Sequence, residues 1–325
     1  MKKIIYYSFY PNDASAFYRS TGIFHYINHP DLSITNISHK NHLSFSDFCG
    51  YDTLFLQRPC EQHHLNLIKL AKDVGLKVII DYDDDPLHLD MYNPMYDYYE
   101  QHKSTVLDCI VEADEIWAST IGVKKAFRLF NNNIQVISNA HNDYIYPIEE
   151  KKEFNANGKL AMWRGGHSHV GDIYEIGVPE LLISIINDNQ DWMFKFLGQR
   201  FEYLEKRCGD NYIAQSGAST IQFYKMMHNE NPNIVFYPLA DTLFNESKSN
   251  ICWIEATYAG AAFFGNTSLQ EFSGIGIMPI DYLSGYVSKD RNEALQIANN
   301  VAWQYIQENL LLSSVNDLRI QRLLS

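Results

Sequence analysis

The sequence predicts an α/β protein of two domains, each a parallel sheet with helices on both faces. Three observations carry this. Short apolar runs of strand length alternate with amphipathic helical patterns along the whole chain. The 325 residues are too many for one ordinary open-sheet domain and comfortable for two. A charged, weakly periodic segment, Pro147–Gly158 (PIEEKKEFNANG), separates two such alternations.

In the first half, Ile4–Phe9 is an apolar, β-branched and aromatic run, predicted as a buried strand. A helical pattern through Phe17, Ile23, Phe24 and Ile27 follows and ends at Pro30. Leu32–Ile37 and Thr53–Gln57 read as strands. Gln62–Asp73 is an amphipathic helix stopped by Gly75, and Lys77–Asp81 is the next strand. That strand runs straight into Tyr82-Asp83-Asp84-Asp85-Pro86. Leu87–Tyr99, rich in Tyr, Met, Asn and Pro, is expected to be a mobile loop or lid, before a helix through Val106, Ile110 and Val111. Strand Glu115–Ala118, helix Thr120–Leu129 and strand Ile134–Ile137 complete the half.

The second half opens with strand Lys159–Trp163 and the loop Arg164–Asp172 (RGGHSHVGD). Helix Tyr174–Ile186, strand Trp192–Leu197, helical character over Ser219–His228 and strand Ile234–Tyr237 follow. Next come a polar loop, a helix after Asn250, a glycine stop at Gly260 and another apolar strand. A short piece Gly274–Pro279 and helices Arg291–Glu308 and Val315–Leu324 finish the chain.

The formal net charge of −13 disfavours non-specific binding to nucleic acid or an anionic membrane. The 22 Tyr residues favour contact surfaces without naming a ligand. Five scattered Cys without a C-x-x-C pair fit reduced thiols in the cytoplasm. The N-terminal apolar run is too short for a signal peptide, and no stretch approaches the ~18 apolar residues of a transmembrane segment. There is no G-x-G-x-x-G, P-loop or G-x-S-x-G pattern.

The chemistry concentrates in Tyr237–Asn266. The loop Asn245–Asn250 puts amides, hydroxyls and Lys248 at a helix N-terminus, where free N–H groups favour an anion. Ser247, Lys248, Ser249 and Asn250 are candidate diphosphate contacts, although Ser or Asn there could equally be an ordinary N-cap. Glu255 lies deeper in a helix that is otherwise apolar. A carboxylate in such surroundings needs a partner, and a ribose diol supplies two donors, whereas most helix Glu residues are simply exposed. Gly165 and Gly166 would let backbone approach a ligand, with Arg164 as a second cation; a glycine turn with a surface Arg is the plain alternative. His167 and His169 are weak as a metal pair. In open α/β sheets ligands sit beyond the carboxyl ends of strands, where Asp83, Asp84 and Asp85 are placed. We rank them as cleft-facing functional carboxylates first, a structural cap second and a metal site third. Tyr10, Arg19 and His88 are the candidate acceptor side.

Several segments resemble family 4 retaining glycosyltransferases of the GT-B architecture. Val136-Ile137-Ser138-Asn139-Ala140…Asp143 is similar to the V-I-x-N-G-x-D signature closing that family's first domain. Glu115–Thr120 resembles its upstream "a-d-x-v-x-a-x-S" strand, and Trp192–Gly198 its "x-l-x-i-x-G" strand. Trp253–Phe263 resembles the donor-binding "L-E-A-x-A-x-G-x-P-V" helix. The chain departs from the pattern in three places. Ser247 stands where many members have the first of two Glu, with Glu246 beside it. Ala262 replaces a Pro. The acidic cluster replaces a catalytic-loop His, His88 being the nearest.

The resemblance implies two Rossmann-like domains facing across a cleft: 1–150 on the acceptor side, 151–310 holding the donor, and 311–325 a helix crossing back to the first domain. It implies transfer from a nucleoside diphosphate sugar with retention, without a cofactor or a required metal. Arg164 and Lys248 would take the diphosphate and Glu255 the ribose. The acceptor could be a glycan or a small molecule. Alternatives are transfer to modified bases of phage-type DNA, which the acidic balance opposes, and an inactive GT-B-like subunit that binds a sugar nucleotide or a partner protein.

Overall fold

A computed structural model describes residues 1–40, 43–288 and 291–325. Among these residues twelve strands form two sheets, all parallel. The first holds β1 (Lys2–Ser8), β2 (Leu32–Asn36), β3 (Thr53–Gln57), β4 (Lys77–Tyr82), β5 (Glu115–Ala118) and β6 (Ile134–Val136), in the order β2-β1-β3-β4-β5-β6. The second holds β7 (Leu160–Arg164), β8 (Met193–Gly198), β9 (Tyr212–Ser216), β10 (Ile234–Tyr237), β11 (Ala262–Gly265) and β12 (Ile277–Pro279), in the order β12-β11-β10-β7-β8-β9.

β3 and β10 are buried at every residue because helices cover both faces, so each reads as a continuous apolar run. Strand order reverses beside β1 in the first sheet and beside β7 in the second. The loops leaving β1, β3 and β4 therefore gather on one side of the cleft, and those leaving β7 and β10 on the other.

Helix Asn292–Asn309 packs Ala302, Trp303 and Ile306 into the second domain's core. The chain then crosses back. His141 N–H donates to Leu310 O at 2.8 Å and Leu312 N–H to His141 O at 2.8 Å. The last helix, Leu312–Leu324, buries Leu312, Val315 and Leu323 against Ile4, Phe55 and Trp117 of the first domain.

Four sequence expectations differ in detail. The long helix after Tyr10 is two short ones, Ala14–Arg19 and Thr21–Phe24. Helix Tyr174–Ile186 is broken at Gly177, whose φ of +68° no residue with a Cβ adopts cheaply, giving Val170–Glu175 and Val178–Asp188. Strand β9 and helix Glu202–Cys208 were not anticipated. The segment 87–95 is bonded across the cleft, and a helix already begins at Tyr96. Among the described residues no helix is long and apolar enough to cross a membrane.

Candidate functional site

The cleft is held shut by bonds between the domains. The Asp85 N–H donates to Ser247 Oγ at 3.1 Å, and Thr120 Oγ1 to Ser247 O at 2.9 Å. Asn139 Nδ2 donates to Ser249 Oγ at 2.8 Å. From segment 87–95, Tyr92 donates to Asp172 Oδ1 at 2.9 Å and Thr242 to Asp90 Oδ2 at 2.9 Å. The domains approach so closely at Gly122 that a Cβ there would overlap the Glu246 carbonyl.

Glu255 sits in helix Ile251–Tyr258, 3% exposed. The Arg164 guanidinium, at the end of β7, donates from Nε to the Glu255 Oε2 at 2.7 Å, and Nη2 stands 2.5 Å from the same oxygen as an ion pair. Tyr18 from the first domain donates to Oε1 at 2.5 Å. Each carboxylate oxygen has about two lone-pair sites, so roughly one is left on Oε1 beside Tyr18. Burial opposes charge on Arg164, but Glu255, Cys252, Tyr18 and Tyr237 together outweigh it and lift the guanidinium above its ordinary range. Burial and the Glu255 charge both push the Tyr18 hydroxyl up. Arg164 and Glu255 line a cavity of about 240 Å³ with Asp13, Ser219 and Phe223.

A second cavity of about 280 Å³ lies beside it, lined by Tyr10, Arg58, Asp84, Asp85, Tyr98, Tyr99 and Lys248 among others. Lys248 Nζ is 2.8 Å from Asp84 Oδ2 and 4.2 Å from the Phe244 ring centre. Arg58 lines this cavity, and Asp13 lines the first. Arg58 pairs with Asp13 and stands 3.7 Å from Asp83 Oδ1. Its φ of +48° is costly for a residue with a Cβ and aims the strand end at the cleft.

The three aspartates have different surroundings. Burial would raise the Asp83 carboxyl, but Arg58, the Ser15 hydroxyl, Arg19 and Lys248 together hold it below its ordinary value. Asp85 is raised by burial, against the Leu87 N–H at 2.9 Å and His88 Nδ1 at 2.6 Å. Asp84 is about a third exposed, faces the cavity and has Lys248 as its ion-pair partner.

Arg19 corrects the acceptor-side expectation. It is 1% exposed, and its guanidinium holds Asp81 at 2.6 Å and Ile137 O at 2.6 Å, so it is interior scaffolding. Ser247 is equally enclosed, its hydroxyl donating to Phe244 O at 2.6 Å as part of the interdomain clasp. Asn250 precedes its helix without a side-chain cap bond. Gly165 lies against the Trp163 ring and donates its N–H to Leu197 O at 3.1 Å, whereas Gly166 has open space. Tyr10 and Lys248 reach the same cavity, and His88 stands next to it on Asp85.

Sequence reasoning missed Arg58, Asp13, Tyr18 and Asp172. Asp172 also accepts from Asn245 Nδ2 at 2.7 Å and the Ala240 N–H at 3.1 Å, and stands 3.2 Å from His169 Nδ1. Burial lowers the His169 imidazole, against Asp172, and its Nε2 stands 2.8 Å from the Tyr237 hydroxyl. Among the described residues, no group of three His, Cys, Asp or Glu side chains is placed to hold a metal ion.

The fold is the GT-B fold of nucleotide-sugar glycosyltransferases. An α-glucosyltransferase, solved with UDP-glucose and DNA containing an abasic site, aligns at TM-score 0.63 and 9% identity over 100% of both chains. TarM of S. aureus aligns at TM-score 0.60 and 12% identity over 84% of this chain and 55% of its own. The pneumococcal O-GlcNAc transferase GtfA, solved with UDP and GlcNAc, aligns at TM-score 0.55 and 11% identity over 86% and 58%. The chain thus spans little more than half the length of the last two. No protein-family model and no curated protein sequence matches it.

Proposed function

We propose that this chain is a glycosyltransferase that moves a sugar from a nucleoside diphosphate sugar to an acceptor hydroxyl, with retention at the anomeric carbon. The observation that carries this reading is the pair of neighbouring cavities, each with one cation from the second domain. Arg164 lines the cavity beside Glu255, and Lys248 lines the other beside Asp84.

A nucleoside would occupy the Glu255 cavity, its ribose donating to the remaining lone pair of that carboxylate. The diphosphate would span Arg164 and Lys248, taking Lys248 from Asp84, and no divalent ion is assigned. Asp84, once released, faces the transferring sugar and offsets positive charge on its ring. The donor C1–O bond breaks and the nucleoside diphosphate leaves with the electron pair. The acceptor oxygen bonds C1, and its proton passes to the departing phosphate. Closure excludes water that would hydrolyse the donor. Five free thiols suit a reducing compartment, and we place the protein in the cytoplasm.

A panel of UDP-, GDP-, ADP- and CMP-sugars, followed by release of nucleoside diphosphate, tests this. Release from one donor, lost in Lys248→Ala, is expected. Tight nucleotide binding without release would instead favour a sugar-nucleotide-binding subunit. One comparison favours a second reading, transfer to modified DNA bases, because the structure that matches over both whole chains holds DNA. The net charge of −13 opposes it.

A further inference from the structure

We infer that the acceptor is a neutral sugar ring and that phosphorylated acceptors are turned away; this rests on the glycosyltransferase reading above. The 280 Å³ cavity has Lys248 at its donor end, while Tyr10, Tyr98 and Tyr99 come from the first domain and form the acceptor wall. Its volume lies just below the small end of ligand sites, ~300 Å³, enough for one ring and not for an oligomer. Aromatic faces pack the apolar face of a ring, and carboxylates accept from its hydroxyls.

Charge decides the class. Arg58 and Lys248 are the cationic side chains among the described residues that line this cavity. Both are already matched, Arg58 by Asp13 and Asp83, and Lys248 by Asp84. Asp84 and Asp85 line the cavity itself, while Asp13 and Asp83, outside its lining, hold Arg58. With the two carboxylates that hold Arg58 counted, four negative groups stand against two positive ones in this cluster. A bound donor diphosphate takes up Lys248 and deepens the imbalance. An acceptor phosphate would meet no free cation, and like charges brought together cost several kcal/mol, which excludes a partner as effectively as a clash.

The test supplies the turned-over donor with p-nitrophenyl hexosides (gluco, galacto, manno and N-acetylglucosamine) and with hexose 6-phosphates, reading transfer and inhibition of donor hydrolysis. At least one neutral glycoside should engage, with every sugar phosphate at least about tenfold poorer in kcat/KM or inhibition. Asp13→Asn sharpens the test. Asp13 caps helix Ala14–Arg19 by accepting from the Ala16 N–H at 2.7 Å, and Asn caps as well. The variant removes one of Arg58's carboxylates, so the phosphate-to-neutral ratio should rise several-fold. Sugar phosphates used as well as neutral glycosides, or a ratio unmoved in Asp13→Asn, would overturn the inference. So would failure of every neutral glycoside. Absence of any donor binding or hydrolysis would sink the glycosyltransferase reading instead, which keeps the two failures apart.

Discussion

Replacing Glu255 by Ala should destabilise the second domain by about 3 kcal/mol. Removing one partner of a buried ion pair costs about 3–5 kcal/mol, because the other charge stays buried without compensation. The Arg164 side chain is 22% exposed, so it can partly rehydrate, and the lower end applies. The Tyr18 hydroxyl loses its acceptor as well. Urea unfolding followed by tryptophan fluorescence reads the change, since Trp253 lies in the same helix and is 1% exposed. With a urea slope of about 1–3 kcal/mol/M, the midpoint should fall by about 1–3 M. Arg164→Met should cost a comparable amount, and Arg164→Met/Glu255→Leu should recover most of both losses, giving strong coupling in the double-mutant cycle. A Glu255→Ala unfolding free energy within about 0.5 kcal/mol of the native protein's, or losses that simply add, would refute the buried-pair argument.

Asp84→Asn should tighten nucleoside diphosphate binding by freeing Lys248 while slowing turnover; weaker binding together with unchanged turnover would contradict the exchange of Asp84 for phosphate. The His141 imidazole is pushed down to about 4 by burial, against the Tyr146 carbonyl, from an ordinary 6.5. Below pH 6.5 the unfolded chain therefore takes a proton that the folded chain refuses. Stability is lost as pH falls from 6.5 to about 4, at about 1.4 kcal/mol per unit and roughly 3 kcal/mol in all. His141→Gln should flatten that slope in urea titrations across this range, and an unchanged slope would count against it. Gly122→Val should leave each domain folded yet hold the cleft open through overlap with the Glu246 carbonyl. Its radius of gyration in X-ray scattering should rise and donor binding weaken; an unchanged radius would show that the domains do not close there.

The strands were legible where burial is two-sided. Thr53–Gln57, Glu115–Ala118 and Ile234–Tyr237 are short apolar runs between turn residues, and the structure keeps the same bounds. Edge strand β9, Tyr212–Ser216, is buried only at Tyr212, so its sequence carries little of the apolar signal that marks a strand. Lys248, Glu255 and Arg164 stood out because each breaks a local pattern. Arg58 did not, and Arg19 was read as acceptor wall instead of scaffold, because what defines both is a partner far along the chain: Asp81 is 62 residues from Arg19, and Asp13 is 45 from Arg58. Glu255 with Tyr18 is harder still, since those residues come from different domains, 237 positions apart. Only the adjacency of β1, β3 and β4 brings Asp13, Arg58 and Asp83 together.

Calorimetric titration of the protein with UDP-, GDP-, ADP- and CMP-sugars, repeated on Lys248→Ala, tests the donor site most directly. One donor should bind with one-to-one stoichiometry, and Lys248→Ala should weaken it by about tenfold to a hundredfold, the worth of a hydrogen bond to a charged group of about 1.5–3 kcal/mol. Absence of binding by every donor, or equal affinity in Lys248→Ala, would contradict a nucleotide sugar in this cleft.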